Sequence, residues 1–360
     1  MQLIDVTVTR GGSPVLHDVD LRVAAGERVA ILGPSGAGKS SLLRAVAGFE
    51  HIAHGRILIA ERDVTGLPTR ERGVAMVAQD AALHGHLDVE ENLGFPLTLR
   101  GVEPAERARR VAAEARTFSL TKLLRRRPRT LSAGEAHEVA LARSLVRRGT
   151  VLLLDEPFAK ADDGRRAALL HELVQVQEGY GVTCLLATND QRIAMSAAHR
   201  CAVLHEGRLV QVAPPQELYD RPSTVFVAGF LGTPPMNLLT GHIERVAGRA
   251  QLQAGPFQIP SVSPRISPLV GTRCTVGIRP TDLRPASGDE LIVIEEVVRR
   301  RTFLGAGFEV GIGASSDPVE EVVARLGAAE PPVGALLRLT VDPSHVHVFA
   351  PDGRALAHGV

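Results

Sequence analysis

The chain has 360 residues, which at about 100–200 residues per domain predicts two domains or three. With 44% hydrophobic and 22% charged residues it has the composition of an ordinary folded protein, which excludes disorder over most of its length. Lys plus Arg (41) nearly cancels Asp plus Glu (40), and a formal net charge of +1 excludes an electrostatic case for nucleic acid or acidic lipid as the main partner.

Cys184, Cys201 and Cys274 are far apart and form no C-x-x-C pair, so neither a disulfide framework nor a zinc site is indicated. They suit a reducing cytoplasm as small apolar residues. The amino-terminal MQLIDVTVTRGG alternates apolar and polar residues where a signal peptide needs a continuous apolar core. No stretch reaches the roughly eighteen apolar residues of a membrane span, so work at a membrane would depend on another chain.

From Met1 to about Gly26, Leu3, Val6 and Val8 and then Val15, Leu16, Val19, Leu21 and Val23 alternate around Gly11-Gly12-Ser13-Pro14, which predicts a small antiparallel sheet. Val29-Ala30-Ile31-Leu32 then leads into Gly33-Pro34-Ser35-Gly36-Ala37-Gly38-Lys39-Ser40-Ser41, followed by a helical pattern that Gly48 stops. The spacing G-x-x-x-x-G-K-S between a strand and a helix is the phosphate-binding loop. Gly33, Gly36 and Gly38 let successive amide N–H groups turn toward one anion. Lys39 brings a positive charge to the outer phosphates, and Ser40 offers a hydroxyl to the Mg²⁺ that travels with a nucleotide.

Gly55 to Ile59 and Gly73 to Gln79 read as strands, the second ending on the polar amide of Gln79. From Val89 to Arg148 the pattern is helical. The basic run Arg125-Arg126-Arg127-Pro128-Arg129 is read as a solvated loop, because one short run in a nearly neutral chain is weak support for a nucleic-acid patch. Leu131-Ser132-Ala133-Gly134-Glu135 opens a helix, and Ser132 and Glu135 have the spacing of a capping box. Val151 to Pro157 is a continuous apolar run ending in Asp155 and Glu156, as in a central parallel strand with a site at its carboxyl end. A helix through Leu169 to Val176, a buried strand Cys184 to Thr188 and a hairpin over Ala202 to Val210 follow.

Leu231-Gly232-Thr233-Pro234-Pro235-Met236-Asn237 interrupts the pattern and is read as the domain boundary. Beyond it, short strands at Cys274–Arg279, Leu291–Ile294, Gly307–Ile312 and His345–Phe349 have all-β spacing, with a short helix expected over Pro318 to Leu326.

The succession of phosphate loop, amide-ended strand, helical insertion, LSAGE and Asp-Glu-Pro resembles the ATP-binding subunit of ABC transporters over residues 1 to about 230. FVAGFLGTPPMNLL (Phe226 to Leu239) and VGIRPTDL (Val276 to Leu283) narrow the resemblance to importers of the carbohydrate-uptake (maltose or glycerol-3-phosphate) type. The resemblance implies an α/β P-loop ATPase domain over 1–232, with a helical subdomain at about 88–148. An all-β, OB-like (TOBE-type) regulatory domain over 236–355 would follow.

In that family's terms Gly33 to Ser41 is the nucleotide loop, and Asp155, with Ser40 and Gln79, supports Mg²⁺. Glu156 is the general base and Gln79 senses the terminal phosphate. Ser132, Ala133, Gly134 and Glu135 are the signature that closes on ATP held by a second subunit, and Asp162 is the aspartate of the following loop. The implied cofactors are ATP and Mg²⁺. The implied partners are membrane permease subunits, a second copy of the chain and, indirectly, an extracytoplasmic solute-binding protein, with the subunit at the cytoplasmic face of the membrane and no nucleic acid involved.

This chain departs from the family pattern at several of these positions. Arg10 stands where an aromatic residue stacks on adenine, and a guanidinium can also stack. Ala133 replaces Gly, Glu135 replaces Gln, and Asn189 replaces the switch histidine. Loss of a transition-state donor costs about 10²–10³ in rate, so slowed turnover is expected. The main reading is an ATPase energising import of a sugar or related solute. The alternatives are a hydrolysis-impaired, nucleotide-gated or regulatory subunit, and an importer of a non-sugar solute such as polyamine, sulfate or iron.

Overall fold

The computed structural model describes residues 1–360 apart from 79–81, 148, 160–162, 261–265, 289, 314–320 and 328–330. It divides into two compact units, Met1–Pro215 and Gln216–Val360.

From the amino terminus the first unit runs β1 (Gln2–Arg10), β2 (Ser13–Arg22), β3 (Arg28–Leu32), α1 (Lys39–Ala47), β4 (Ile52–Ile59), β5 (Arg62–Asp63) and β6 (Val74–Val77). Helices α2 (Val89–Thr98), α3 (Pro104–Thr117) and α4 (Ala133–Leu145) follow. Then come β7 (Val151–Asp155), α5 (Asp163–Tyr180), β8 (Thr183–Thr188), α6 (Gln191–Ala197), β9 (Arg200–His205) and β10 (Arg208–Ala213). The alternating amino-terminal segments pair antiparallel across the Gly11-Gly12 turn and belong to a four-stranded sheet of order β2-β1-β4-β5.

A six-stranded sheet has the order β10-β9-β3-β8-β7-β6, parallel from β9 to β6 with β10 antiparallel at its edge. Its strands read as unbroken apolar runs because both faces are covered. In β7, Val151 and Leu153 join the core shared with α1 and the antiparallel sheet, while Leu152 and Leu154 join the core built with α2, α3, α4 and α5. Truncating Leu153, which is fully buried, would cost about 2–5 kcal/mol.

The carboxyl end of α1 is closed by a residue that its sequence does not advertise. Gly48 ends the helix in the left-handed region (φ 85), and a Cβ there would lie 2.6 Å from Arg72 Nε. The buried Arg72 donates to the carbonyls of Ala45 (2.8 Å), Val46 (3.2 Å), Leu67 (2.7 Å) and Thr65 (2.7 Å). It supplies donors and positive charge where helix carbonyls need both. The basic run at Arg125 to Arg129 lies on the surface and is partly ion-paired: Arg125 reaches Glu90 (3.0 Å) and Arg126 reaches Glu135 (3.4 Å).

The second unit is built on two antiparallel sheets, one of six strands and one of five. Apolar side chains including Phe257, Ile278, Val298, Ile312, Leu339 and Val346 form its core. Asn237 links two of the strands: its Nδ2 donates to Ile278 O (3.1 Å) and Val323 O (2.8 Å), and its Oδ1 accepts from Val323 N–H (2.8 Å). The helix expected over Pro318 to Leu326 is not formed in its described part. Val322–Leu326 is a strand paired antiparallel with Phe308–Ile312, with Val322, Ala324 and Leu326 buried at period two. Residues 318–320 lie outside the described residues.

The division between units falls earlier than the proline-rich stretch. The helix Val225–Phe230 packs through Ala228 on Met236 and Phe349 of the second unit, and Arg279 holds the carbonyls of Tyr219 and Leu231. All three cysteines are free and buried. Among the described residues no helix is long and apolar enough to cross a membrane.

Candidate active site

β3, β8 and β7 are neighbours in the parallel sheet, and past their carboxyl ends lie, in turn, the loop from Gly33, Asn189, and Asp155 with Glu156. Three segments far apart in sequence meet there because the sheet order brings them together.

The loop's glycines are required for different reasons. A Cβ at Gly33 would lie 2.2 Å from Leu204 O, so no side chain fits. Gly38 combines a φ of 106 with a Cβ position 2.8 Å from Leu16 Cδ2. Gly36 has open space around it but a φ of 81, so the demand there is conformational. Gly38 is also the N-cap of α1, and no side chain caps that helix. The amide N–H groups of its first turn and the positive end of its dipole are therefore available to an anion.

Lys39 is 7% exposed, and its ammonium donates to Gly33 O (2.8 Å), Pro34 O (2.9 Å) and Asn189 Oδ1 (2.5 Å). All three of its protons are engaged. Burial lowers its pKa, and the charges of Glu156 and Asp155 oppose that shift. Ser40 Oγ donates to Asp155 Oδ1 at 2.9 Å, so the loop hydroxyl and the strand-end carboxylate form one cluster of hard oxygen atoms. Asp155 is 3% exposed.

Glu156, the next residue, has a φ of 47, in the left-handed region that costs a non-glycine residue about 1–3 kcal/mol. Its backbone N–H is tied to Ala187 O at 2.9 Å. Burial pushes its carboxyl pKa up, while the Asn189 backbone N–H, the Thr188 hydroxyl and the Lys39 charge act against that shift. Thr188 Oγ1 donates to Glu156 Oε2 (3.2 Å) and accepts from Asp190 N–H (3.0 Å). Oε1 is buried and has no hydrogen-bond partner among the described residues. The carboxylate is thus held by one oxygen, and the other can accept a proton.

Thr188 is the site residue that sequence reasoning misses. The available signal is a hydroxyl ending the apolar strand Cys184–Thr188 next to Asn189. Ser35 is exposed and Ser41 is buried at 9% exposure. The Arg10 guanidinium is ion-paired with Glu50 at the end of β1. Ser132 and Glu135 form the capping box of α4, with Ser132 N–H donating to Glu135 Oε2 (2.7 Å) and Glu135 N–H to Ser132 Oγ (3.2 Å). Ala133 and Gly134 fall in the first turn of that helix. Gln79 and Asp162 lie outside the described residues.

Residues 16–159 match the family model described as ABC transporter. The chain is 39% identical to an sn-glycerol-3-phosphate import ATP-binding protein of Rhizobium johnstonii, over 97% of this chain and 94% of that one. It is also 39% identical to the protein of the same description from Cupriavidus necator, over 98% and 97%. Among solved structures, CbiO1 of Clostridium perfringens, part of an ABC transporter complex, aligns with a TM-score of 0.57 and 26% identity over 60% of this chain and 89% of that one. The ATP-binding cassette MJ0796, in a dimeric post-hydrolysis state with ADP and Pi, aligns with a TM-score of 0.54 and 25% identity over 59% and 98%.

Proposed function

This chain belongs to the ATP-binding subunits of ABC importers, and from that premise we propose that it hydrolyses ATP as a homodimer to drive uptake of a sugar or a polyol phosphate such as glycerol 3-phosphate. ATP hydrolysis in concert with a membrane permease comes with family membership. The solute class rests on the relatives' names, and the homodimer on the dimeric form of MJ0796. We place the subunit at the cytoplasmic face of the membrane, receiving its solute indirectly from an extracytoplasmic binding protein.

The observation that carries the reading is the convergence of Lys39, Ser40, Asp155, Glu156 and Asn189 beside an uncapped helix start. In our assignment the loop amides and Lys39 hold the phosphates. Glu156 Oε1 accepts the proton of the attacking water, with Thr188 fixing its other oxygen, and such a base contributes about 10²–10⁴ in rate. Mg²⁺ fits the Ser40–Asp155 oxygen pair: the hydroxyl would bind it, the carboxylate would support it through water, and it would offset phosphate charge. Among the described residues no three His, Cys, Asp or Glu side chains form a metal group, so most of its ligands would be phosphate and water. The domain limits we adopt are 1–232 for the ATPase and 236–355 for the regulatory domain. Gln79, Asp162, Arg10 and the Ser132–Glu135 signature keep the roles that family membership suggests.

One contact favours the slower, regulatory alternative. Asn189 presents its amide oxygen to Lys39, so the group at the switch position serves as an acceptor for the ammonium and has only the neutral Nδ2 to offer a phosphate. The test is reconstitution with a membrane permease and solute-binding protein of the same importer type. ATP hydrolysis that rises severalfold with glycerol 3-phosphate or a sugar supports the importer reading. Tight ATP binding with no stimulated turnover would favour the regulatory one.

A further inference from the structure

Within the second unit, a polar cavity of about 350 Å³ is lined by charged and imidazole groups that the nucleotide chemistry leaves unused. Its most buried member is Arg279, 2% exposed. The guanidinium lies over the Tyr219 ring, 3.5 Å from the centroid, and all three of its nitrogens donate to carbonyls, Nε (3.1 Å) and Nη2 (2.5 Å) to Tyr219 O and Nη1 to Leu231 O (2.8 Å). Among the described residues no carboxylate comes within 4.0 Å of it to form an ion pair, and Asp282 and Asp220 act on it only through the longer-range field. A cation taken out of water with only carbonyls and a ring face for company is incompletely compensated.

His347, 4% exposed, lines the same cavity, and its Nδ1 lies 2.9 Å from His358 Nδ1. Two nitrogens so placed share one proton, so at least one of the two rings accepts. Burial, followed by the positive charges of His358, Arg279 and His345, pushes His347 down to about 3. Asp220 and Asp282 also line the cavity; Asp282 Oδ1 lies 3.9 Å from His345 Nδ1, and burial raises its carboxyl pKa, which favours its neutral form. Arg221 adds a further cation to the lining. A divalent metal is the rival occupant, but among the described residues no three of these side chains are grouped to hold one.

We propose that this cavity binds a small oxyanion, either free or as the headgroup of a small metabolite, with Arg279 as its counter-charge and the His347–His358 pair taking up one proton from solvent as it binds. An anion there offsets the burial and the neighbouring positive charges that disfavour a proton on His347, so anion and proton bind together. The site lies wholly among residues of the second unit and stands whether or not the solute named above is right.

The test uses the full chain saturated with Mg-ADP, because the phosphate loop itself attracts oxyanions. Histidine ring NMR signals are followed during titration with phosphate, sulfate and glycerol 3-phosphate, against chloride at matched ionic strength. Of the thirteen histidines, the expected result is a saturable shift of the signals assigned to His345, His347 and His358 by single His→Gln changes. Binding of phosphate and sulfate identifies a free anion, and binding of the ester alone identifies a metabolite headgroup. Sulfate keeps its charge between pH 6 and 8, so its affinity should fall toward about tenfold per pH unit as the coupled proton becomes scarce. His358→Gln, at a partly exposed position, should fold normally and remove that pH dependence. No saturable shift at tens of millimolar anion, or a sulfate affinity that ignores both pH and His358→Gln, would overturn the proposal.

Discussion

In the Met1–Pro215 unit, the groups assigned to chemistry stand past the ends of buried parallel strands; in the Gln216–Val360 unit, Arg279 and His347 lie within an antiparallel framework. The parallel sheet needs apolar residues along its whole length, so polar side chains collect where strands give way to loops. Lys39 then acts electrostatically with Asp155 and Glu156, which lie more than a hundred residues further along the chain. In the antiparallel unit Arg279 is held by backbone carbonyls and the Tyr219 ring, and His347 by His358. One arrangement concentrates field for a reaction, and the other leaves a buried cation with no ion-pair partner among the described residues, for which a ligand is a natural complement.

The strongest way to break this comparison is at the strand ends. Glu156→Gln should lower ATP hydrolysis by about 10²–10⁴ while leaving ATP binding intact, because the carboxylate acts on water in the transition state. Lys39→Ala should instead weaken binding, since its ammonium meets the phosphates in the ground state. Equilibrium binding and size-exclusion chromatography with Mg-ATP separate the two: the Glu156→Gln protein should elute as a dimer. A monomer at saturating ATP would end the composite-site model.

Next in size is Asn189. Histidine at this position could donate with a full charge, and charge-assisted bonds are roughly twice as strong as neutral ones. Asn189→His should therefore raise steady-state hydrolysis with the permease by up to about tenfold, since 1.36 kcal/mol corresponds to tenfold in rate. Asn189→Ala removes the acceptor that holds Lys39 at 2.5 Å, and the ammonium should then turn to phosphate more readily. If neither change moves the rate or the ATP affinity, position 189 does not limit turnover.

The phosphate loop is legible in the sequence because nearly every constrained position has one physical solution: no side chain fits at Gly33, and none is comfortable at the φ of Gly38. The strand ending in Asp155 and Glu156 is legible because only burial on both faces explains its unbroken apolar run. Thr188 and Arg72 are not. A threonine ending a strand and an arginine after a short turn look the same whether they face solvent or clamp a carboxylate or a helix end. Glu321-Val322-Val323-Ala324-Arg325-Leu326 is misread as helix because several of its residues suit one, and pairing with Phe308–Ile312 overrides that preference. Nothing local in VGIRPTDL announces that Arg279 is buried beside Tyr219, since its partners lie about sixty residues away.

A smaller effect sharpens the separation of the units. A chain ending at Pro215 keeps every described residue of the nucleotide site, and its ATP affinity should stay within severalfold of the full chain. A chain ending at Thr233 keeps the helix Val225–Phe230 but loses Met236 and Phe349, the apolar partners of Ala228. It should bind ATP comparably and aggregate more readily on size exclusion. Complete loss of binding in both truncations would mean that the second unit completes the site.

The smallest expected effect sets the two units against each other in their response to pH. The native pKa of Glu156 is raised above 4.5, so between 4.5 and that raised value the folded chain binds the proton more tightly than the unfolded one. Its contribution favours the fold at low pH and is lost as pH rises through the native pKa. His347 has the opposite sign: with a native pKa of about 3 against 6.5 unfolded, it favours the fold above 6.5 and destabilises it progressively as pH falls toward 3. Relative to wild type, Glu156→Gln should gain more in Tm at pH 8 than at pH 5. His347→Gln should show the reverse trend, its melting temperature improving relative to wild type from pH 8 to pH 5. Thermal melts at the two pH values, in buffers free of phosphate and sulfate, read both differences. Parallel trends in the two variants would mean that these buried groups do not govern the pH dependence of their own units.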